Sequence, residues 1–302
     1  MLDIDLFVLG TSSQFPTKER NHSGFFLRFG TFQALFDCGE GTQRQMRIMG
    51  LSPHHVNALF ISHWHGDHSL GIGGIIQSLS ASKRDVTLDI YGPIGTKERI
   101  DHIMNTYYFK KSFPIHVHEF NPKSETLIVE HDKFFINCFP LNHGIPCLGY
   151  SFQTKPERKI NLSYVKKFGL TKDPVLGKLQ RGETITYKGH VITPEQGTFL
   201  KDGKKLCFIF DTKYFDDLIS FARNSDLLIS EGTFSKSDEE LCEDYDHLSN
   251  SQAAMIAKKS VSKKLLITHI SQRYNDTKKL EKEIKPLFKE SSYAKDFDKI
   301  TI

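Results

Sequence analysis

The sequence predicts an α/β fold in which two β-sheets pack together with helices outside them. Three observations carry this. Strand and helix signals alternate along the chain, strands dominate its first half, and tight turns between apolar runs there make hairpins the expected connection. Closely spaced strands make hairpins, whereas parallel neighbours need long crossovers, so a single parallel sheet accounts for the pattern less well. At 302 residues the chain is near the upper end for one core and long enough to divide in two.

Ile4 to Leu9 is a short apolar strand ended by Gly10. Phe25–Phe29 and Phe32–Phe36 flank Gly30-Thr31 as the arms of a hairpin, and the second arm runs into Asp37-Cys38-Gly39. Val56 to Ile61 is a further strand, followed at once by a His-rich segment. Gly71, Gly73 and Gly74 with Ile75, Ile76 and Leu79 open a helix, and Ile100, Ile103, Met104 and Tyr107 share one face of another over Arg99–Tyr107. Strands resume at Phe134–Phe139 and Leu148–Phe152. Residues 155–188, with Pro156, Gly169, Pro174, Gly177 and Gly182 and few apolar runs, read as an inserted arm on a single domain spanning 1–302. Beyond the arm come strands Leu206–Phe210 and Leu227–Ser230, a helix Asn250–Lys263, a last strand Leu265–Thr268 ending on a histidine, and a terminal helix Lys278–Phe288.

Composition excludes several classes. No stretch approaches the roughly 18 consecutive apolar residues of a membrane helix, and the start, Met-Leu-Asp-Ile-Asp-Leu-Phe, has no basic flank of a signal peptide. The five cysteines are scattered without a Cys-x-x-Cys pair, which argues against a disulfide framework and a thiolate zinc site and favours a reducing cytoplasm. Net charge is only +4, but residues 155–188 hold nine Lys or Arg against three acidic residues. Such a segment can track a phosphate backbone or be a solvated loop.

The strongest local signal is His63-Trp64-His65-Gly66-Asp67-His68, four potential metal ligands just past an apolar strand. Imidazole and carboxylate suit zinc, and the absence of cysteine favours a catalytic over a structural site. His63 and His65, two apart, point the same way on extended backbone. Six residues cannot complete two tetrahedral sites, and His143, Asp211 and His269, each at or just past a strand end, are candidates for the rest.

With these residues in view, the sequence resembles the metallo-β-lactamase superfamily, and in particular its ribonuclease Z branch, which trims the 3′ end of precursor transfer RNA. The His-x-His-x-Asp-His pattern carries the superfamily. Pro16-Thr17 with Arg20-Asn21-His22-Ser23, Phe36-Asp37-Cys38-Gly39-Glu40-Gly41-Thr42-Gln43, Ile61-Ser62-His63, Phe210-Asp211-Thr212 and Asp173-Pro174-Val175-Leu176-Gly177-Lys178-Leu179 carry the branch. The resemblance implies a four-layered αββα sandwich with an inserted substrate-binding arm. It implies two zinc ions per chain, one held by His63, His65 and His143 and the other by Asp67, His68 and His269, with Asp211 shared. Asp67 would accept a proton from the attacking water, and Glu231 would orient His247 as proton donor to the leaving oxygen. The bland alternatives are a turn carboxylate for Glu231 and a neighbour of a helix cap for His247. Two motifs depart from the family: Ser230-Glu231-Gly232-Thr233 stands where His-Glu-Ala-Thr is usual, and His247-Leu248-Ser249 where His-Ser-Thr is usual. In the arm, Thr171-Lys172-Asp173-Pro174 replaces Pro-Pro-Gly-Pro, while Lys155, Arg158, Lys159, Lys166, Lys167, Lys172, Lys178 and Arg181 keep its basic character. Tyr164 and Phe168 either stack on nucleotides or, the preferred reading, anchor the arm on itself.

The expected function is therefore endonucleolytic removal of the 3′ trailer from precursor transfer RNA, leaving a 3′ hydroxyl on the transfer RNA and a 5′ phosphate on the trailer. The resemblance adds a homodimer in which each arm reaches towards the partner's active site. A hydrolase of small phosphodiesters is the alternative, set apart by having no use for a basic arm. A nucleic-acid-binding protein with a degenerate site is a third, opposed by the full ligand set.

Overall fold

A computed structural model describes residues 2–108 and 112–302; Met1 of the N-terminal run lies outside them. The contacts divide these residues into two compact units, one of residues 2–129, 136–152 and 205–302, the other of 130–135 and 153–204.

The larger unit is built on two seven-stranded sheets. In the first, Lys299–Thr301, Ile4–Gly10, Gly24–Phe29 and Phe32–Phe36 lie side by side and antiparallel, and Ala58–Phe60, Leu88–Pro93 and Ile115–Phe120 then add in parallel. Gly30, at φ +60°, makes the tight turn that pairs Phe29 with Phe32. The second sheet runs Ser291–Tyr293, Leu265–Thr268, Leu227–Glu231, Lys205–Ile209, Cys147–Thr154, Phe134–Leu141 and Thr126–Glu130. Its first four strands are parallel, so the residues that follow Lys205–Ile209, Leu227–Glu231 and Leu265–Thr268 emerge at one edge.

Period-two patterning decides which face goes where. Phe7, Leu9, Phe26, Leu35 and Leu59 pack against Ile72, Ile75, Ile76 and Leu79 of the helix Ile72–Ala81, forming the outer core of the first sheet. The alternate residues face the other sheet. Phe36 stacks on Phe208 with ring centroids 4.2 Å apart and on Phe60 at 4.8 Å, while Phe29 meets Phe152 edge-on at 5.6 Å. Helix Asn250–Lys259 starts at a capping box in which Ser249 and Gln252 satisfy each other's backbone N–H.

Several elements differ from expectation. The helix expected to run to Lys263 ends at Lys259, because Ser260 caps it and Val261 takes a left-handed φ of +57°. Of Val56–Ile61 only Ala58–Phe60 pairs, and Pro53–His55 is a 3-10 turn. The polar strands Ile115–Phe120 and Thr126–Glu130 have no counterpart in the expected pattern.

The smaller unit has its own core of Val165, Leu170, Leu179, Ile185 and Ile192, with Tyr164 and Phe168 packed against it. Glu157–Ile160 pairs antiparallel with Thr198–Lys201, and Ile185–Tyr187 with His190–Ile192. Lys159 pairs with Glu157 at 2.6 Å and Arg181 with Glu183 at 2.8 Å. Lys166, Lys167, Lys172, Lys178 and Lys188 are exposed and make no ion pair among the described residues.

Candidate metal centre

The site is built at strand ends. Ala58–Phe60 leads into Ser62 and His63, and a single helical turn, Gly66–Ser69, then carries Asp67 and His68. His143 follows Phe134–Leu141, Asp211 follows Lys205–Ile209, and His269, at φ +57°, follows Leu265–Thr268. With His65, between His63 and that turn, the first sheet thus contributes four potential ligands and the second sheet three. Ligand atoms of His63, His65, His143 and Asp211 fall in one cluster and those of Asp67, His68 and His269 in another.

One carboxylate joins the clusters. Asp211 Oδ2 lies 3.6 Å from His63 Nε2, 3.4 Å from His68 Nε2 and 3.5 Å from His269 Nε2, while its buried Oδ1 has no hydrogen-bond partner. Around them the imidazoles are oriented from behind. His63 Nδ1–H faces Ser62 Oγ at 2.9 Å, and that hydroxyl itself donates to Asp37 at 2.8 Å. His68 Nδ1–H donates to Asp37 at 2.6 Å, and His143 Nδ1–H to the Asp246 carbonyl at 3.0 Å. His269 Nδ1–H donates to Thr233 Oγ1 at 2.9 Å, whose proton goes to Glu231. With each N–H turned outward, the Nε2 lone pairs of all four histidines face inward. His63 Nε2 and His65 Nδ1 are 3.1 Å apart, His143 Nε2 and His65 Nδ1 3.3 Å, and His68 Nε2 and His269 Nε2 3.1 Å.

Facing lone pairs repel unless a cation lies between them, so the donor set fits metal ions. Charge agrees. Burial, with His68 adding to it, keeps His63 well below the ordinary histidine range, in the neutral form a ligand needs. Burial also lowers His68, but Asp211, Asp67 and Asp37 outweigh it and hold its pKa well above that range; the carboxylates draw positive charge to Nε2, a proton or a metal ion in its place. Asp67, raised by burial but opposed by His68 and His269, stays ionised, and its Oδ2 accepts the Gln14 N–H at 2.8 Å.

Beside the clusters sit Glu231 and His247. Glu231 is fully buried; it accepts from Thr212 N at 2.7 Å, from Thr233 Oγ1 at 2.7 Å and from His247 Nδ1 at 3.1 Å. Burial lowers the His247 pKa, but Glu231 and Asp211 overcome this and place it at about 9. These carboxylates favour the charged form of His247, which lies on the wall of an open pocket of about 500 Å³ that also exposes Asp67, Tyr245 and Arg273. Ser249, two residues on, is the cap of helix Asn250–Lys259, so the His247-Leu248-Ser249 motif both starts a helix and supplies the histidine.

The sequence singled out all of these histidines and carboxylates but missed their supports. Asp37 belongs to the Phe36–Gln43 motif, where residue type alone gave it no role; like Asp211 it ends a strand, and that signal could have found it. Gln14 and Asp246 act through the backbone, which leaves no mark in residue type.

This is the donor arrangement of a binuclear metallohydrolase on an αββα sandwich. A family model described as "Anti-Pycsar protein Apyc1" matches residues 4–106, the stretch with the His-rich motif. The "metallo-beta-lactamase fold protein YhfI" of Bacillus subtilis superposes with a TM-score of 0.72 at 21% identity over 100% of both chains, a likeness of fold. The short form of human tRNase Z superposes with a TM-score of 0.72 at 26% identity, covering 98% of each chain. Ribonuclease Z of Methanothermobacter thermautotrophicus is 37% identical over 97% of this chain and 95% of its own. The chain belongs to the ribonuclease Z family and is a hydrolase of the endoribonuclease type.

Proposed function

We propose that this zinc-dependent endoribonuclease removes the 3′ trailer from precursor transfer RNA. The observation that carries the reading is the shared carboxylate, Asp211 Oδ2, within 3.6 Å of imidazoles from both clusters. His63, His65 and His143 would hold one zinc ion, Asp67, His68 and His269 the other, and Asp211 both. Such a pair lowers the pKa of an attacking water and offsets charge building on a phosphodiester. The chain's own residues do the rest. Asp67, fixed by the Gln14 N–H, accepts the proton of the water. His247, protonated and oriented by Glu231, donates one to the departing 3′ oxygen. Water adds to phosphorus, so the transfer RNA leaves with a 3′ hydroxyl and the trailer with a 5′ phosphate.

The arm, residues 155–188, would hold the folded body of the transfer RNA by phosphate contacts through its unpaired lysines, recognising shape and backbone. The family suggests that two copies act together. The decisive experiment incubates the purified protein with a 3′-extended transfer RNA and maps both products at their ends. A 3′ phosphate on the transfer RNA, or no cleavage while a small phosphodiester is hydrolysed, would sink the proposal and favour the small-substrate alternative.

A further inference from the structure

Asp246 joins two functional histidines through one backbone turn. Its carbonyl accepts the His143 Nδ1–H at 3.0 Å, and the next residue is His247. It ends the helix Leu241–Tyr245 in the left-handed conformation, φ +57°, where a non-glycine residue is uncommon. Its side chain meets Lys213, whose Nζ lies 2.9 Å from Asp246 Oδ1 and 3.5 Å from Glu243 Oε2. Lys213 is itself tied to the site. It lies two residues past Asp211, and its backbone N–H donates to the carbonyl of Asn142, the neighbour of His143, at 2.8 Å. Thr212, between Asp211 and Lys213, donates its N–H to Glu231 and receives the Asn142 N–H at 3.0 Å.

We propose that the Lys213–Asp246 ion pair is a positioning strap that sets the orientations of His143 and His247 together. It closes a ring of interactions through the segments that carry His143, Asp211 and His247. The 245–247 turn is also tied by the Asp246 carbonyl to His143, by the His247 N–H to the Cys242 carbonyl at 3.0 Å and by the His247 ring to Glu231, so losing the pair loosens both rings without releasing either. The two partners' side chains are 29% and 28% exposed, so the pair is modest in strength and acts by alignment. The inference rests on the roles proposed for His143 and His247.

The test uses Asp246→Asn, because asparagine tolerates the left-handed turn and keeps the carbonyl, and Lys213→Gln. Each full-length, zinc-loaded variant is measured in two ways. On a small phosphodiester at saturation, kcat should fall by about 3–10-fold with KM nearly unchanged, a loss of alignment rather than of binding. Separately, zinc should transfer to a chelator several-fold faster, a readout that needs no turnover. The double variant should be no worse than Lys213→Gln alone, which already removes both the Asp246 pair and the longer contact with Glu243. Additive losses, or single variants with wild-type kcat and wild-type zinc release, overturn the strap. If the wild type hydrolyses nothing, the functional reading fails while the zinc-release arm still decides the inference.

Discussion

At the scale of single residues, the shared and the supporting groups should behave differently. Asp211→Ala removes the one carboxylate common to both clusters, and metal analysis should find both ions lost. His247→Ala should keep both ions, because its ring is engaged with Glu231, and lower the cleavage step by roughly 10²–10⁴-fold. Zinc loss in that variant would instead make His247 a ligand or the support of one. Asp296 gives a test of stability. Burial raises its pKa from 3.8 to about 6, against hydrogen bonds from Asn21 N, Thr11 Oγ1 and Gln45 Nε2. The folded chain thus binds this proton more tightly than the unfolded one, so the contribution is present below pH 3.8 and lost as pH rises through about 6. The stability advantage of the wild type over Asp296→Asn, from denaturant unfolding, should shrink across that window and then level off; an advantage that grows would contradict it. Residue type made the inward-facing side chains legible in the sequence, since histidine and aspartate at this density have few other uses. The Gln14 N–H and the Asp246 carbonyl were illegible, because every residue carries a carbonyl and nearly every one an N–H, and only the fold aims them.

At the scale of elements, strands of the inner core are legible because their apolar content is nearly continuous: Gly24–Phe29 and Phe32–Phe36 are found within a residue of where the phenylalanines put them. Strand Ile115–Phe120, in contrast, reads Ile-His-Val-His-Glu-Phe. It lies at the sheet's edge with only partial burial, so its pattern carries little hydrophobic signal. Helix Asn250–Lys259 begins where its sequence says, since Ser249 and Gln252 form a box visible in residue type, and stops short of expectation, since no glycine marks its end. Ser249→Ala should cost ~1 kcal/mol of stability, and because Ser249 follows His247 by two residues, cleavage should fall as well. The segment 155–188 carries the largest element-scale prediction. Neutralising its nine Lys and Arg together should spare hydrolysis of a small phosphodiester and sharply weaken cleavage of precursor transfer RNA, chiefly through binding. The salt dependence of binding should drop by somewhat under one unit for each phosphate the segment no longer engages. Transfer RNA cleavage that survives with its salt slope intact would reduce the segment to a surface loop.

For the whole molecule, the proposed homodimer is checked by light scattering under assay conditions; a monomer at full activity would remove it. Among the described residues, no helix is long and apolar enough to cross a membrane. The two sheets meet through stacked phenylalanines such as Phe36 and Phe208. The proposed ligands are divided between those sheets: His63, His65, Asp67 and His68 follow the first, and His143, Asp211 and His269 the second. An ion bound across such a division favours the folded chain alone, and the gain grows with the logarithm of free zinc. The unfolding midpoint should therefore climb as buffered zinc is raised, and calorimetry across a zinc series would show it. In a starved cell, such a protein would be depleted by proteolysis as well as silenced, so its abundance would itself report the supply of the metal.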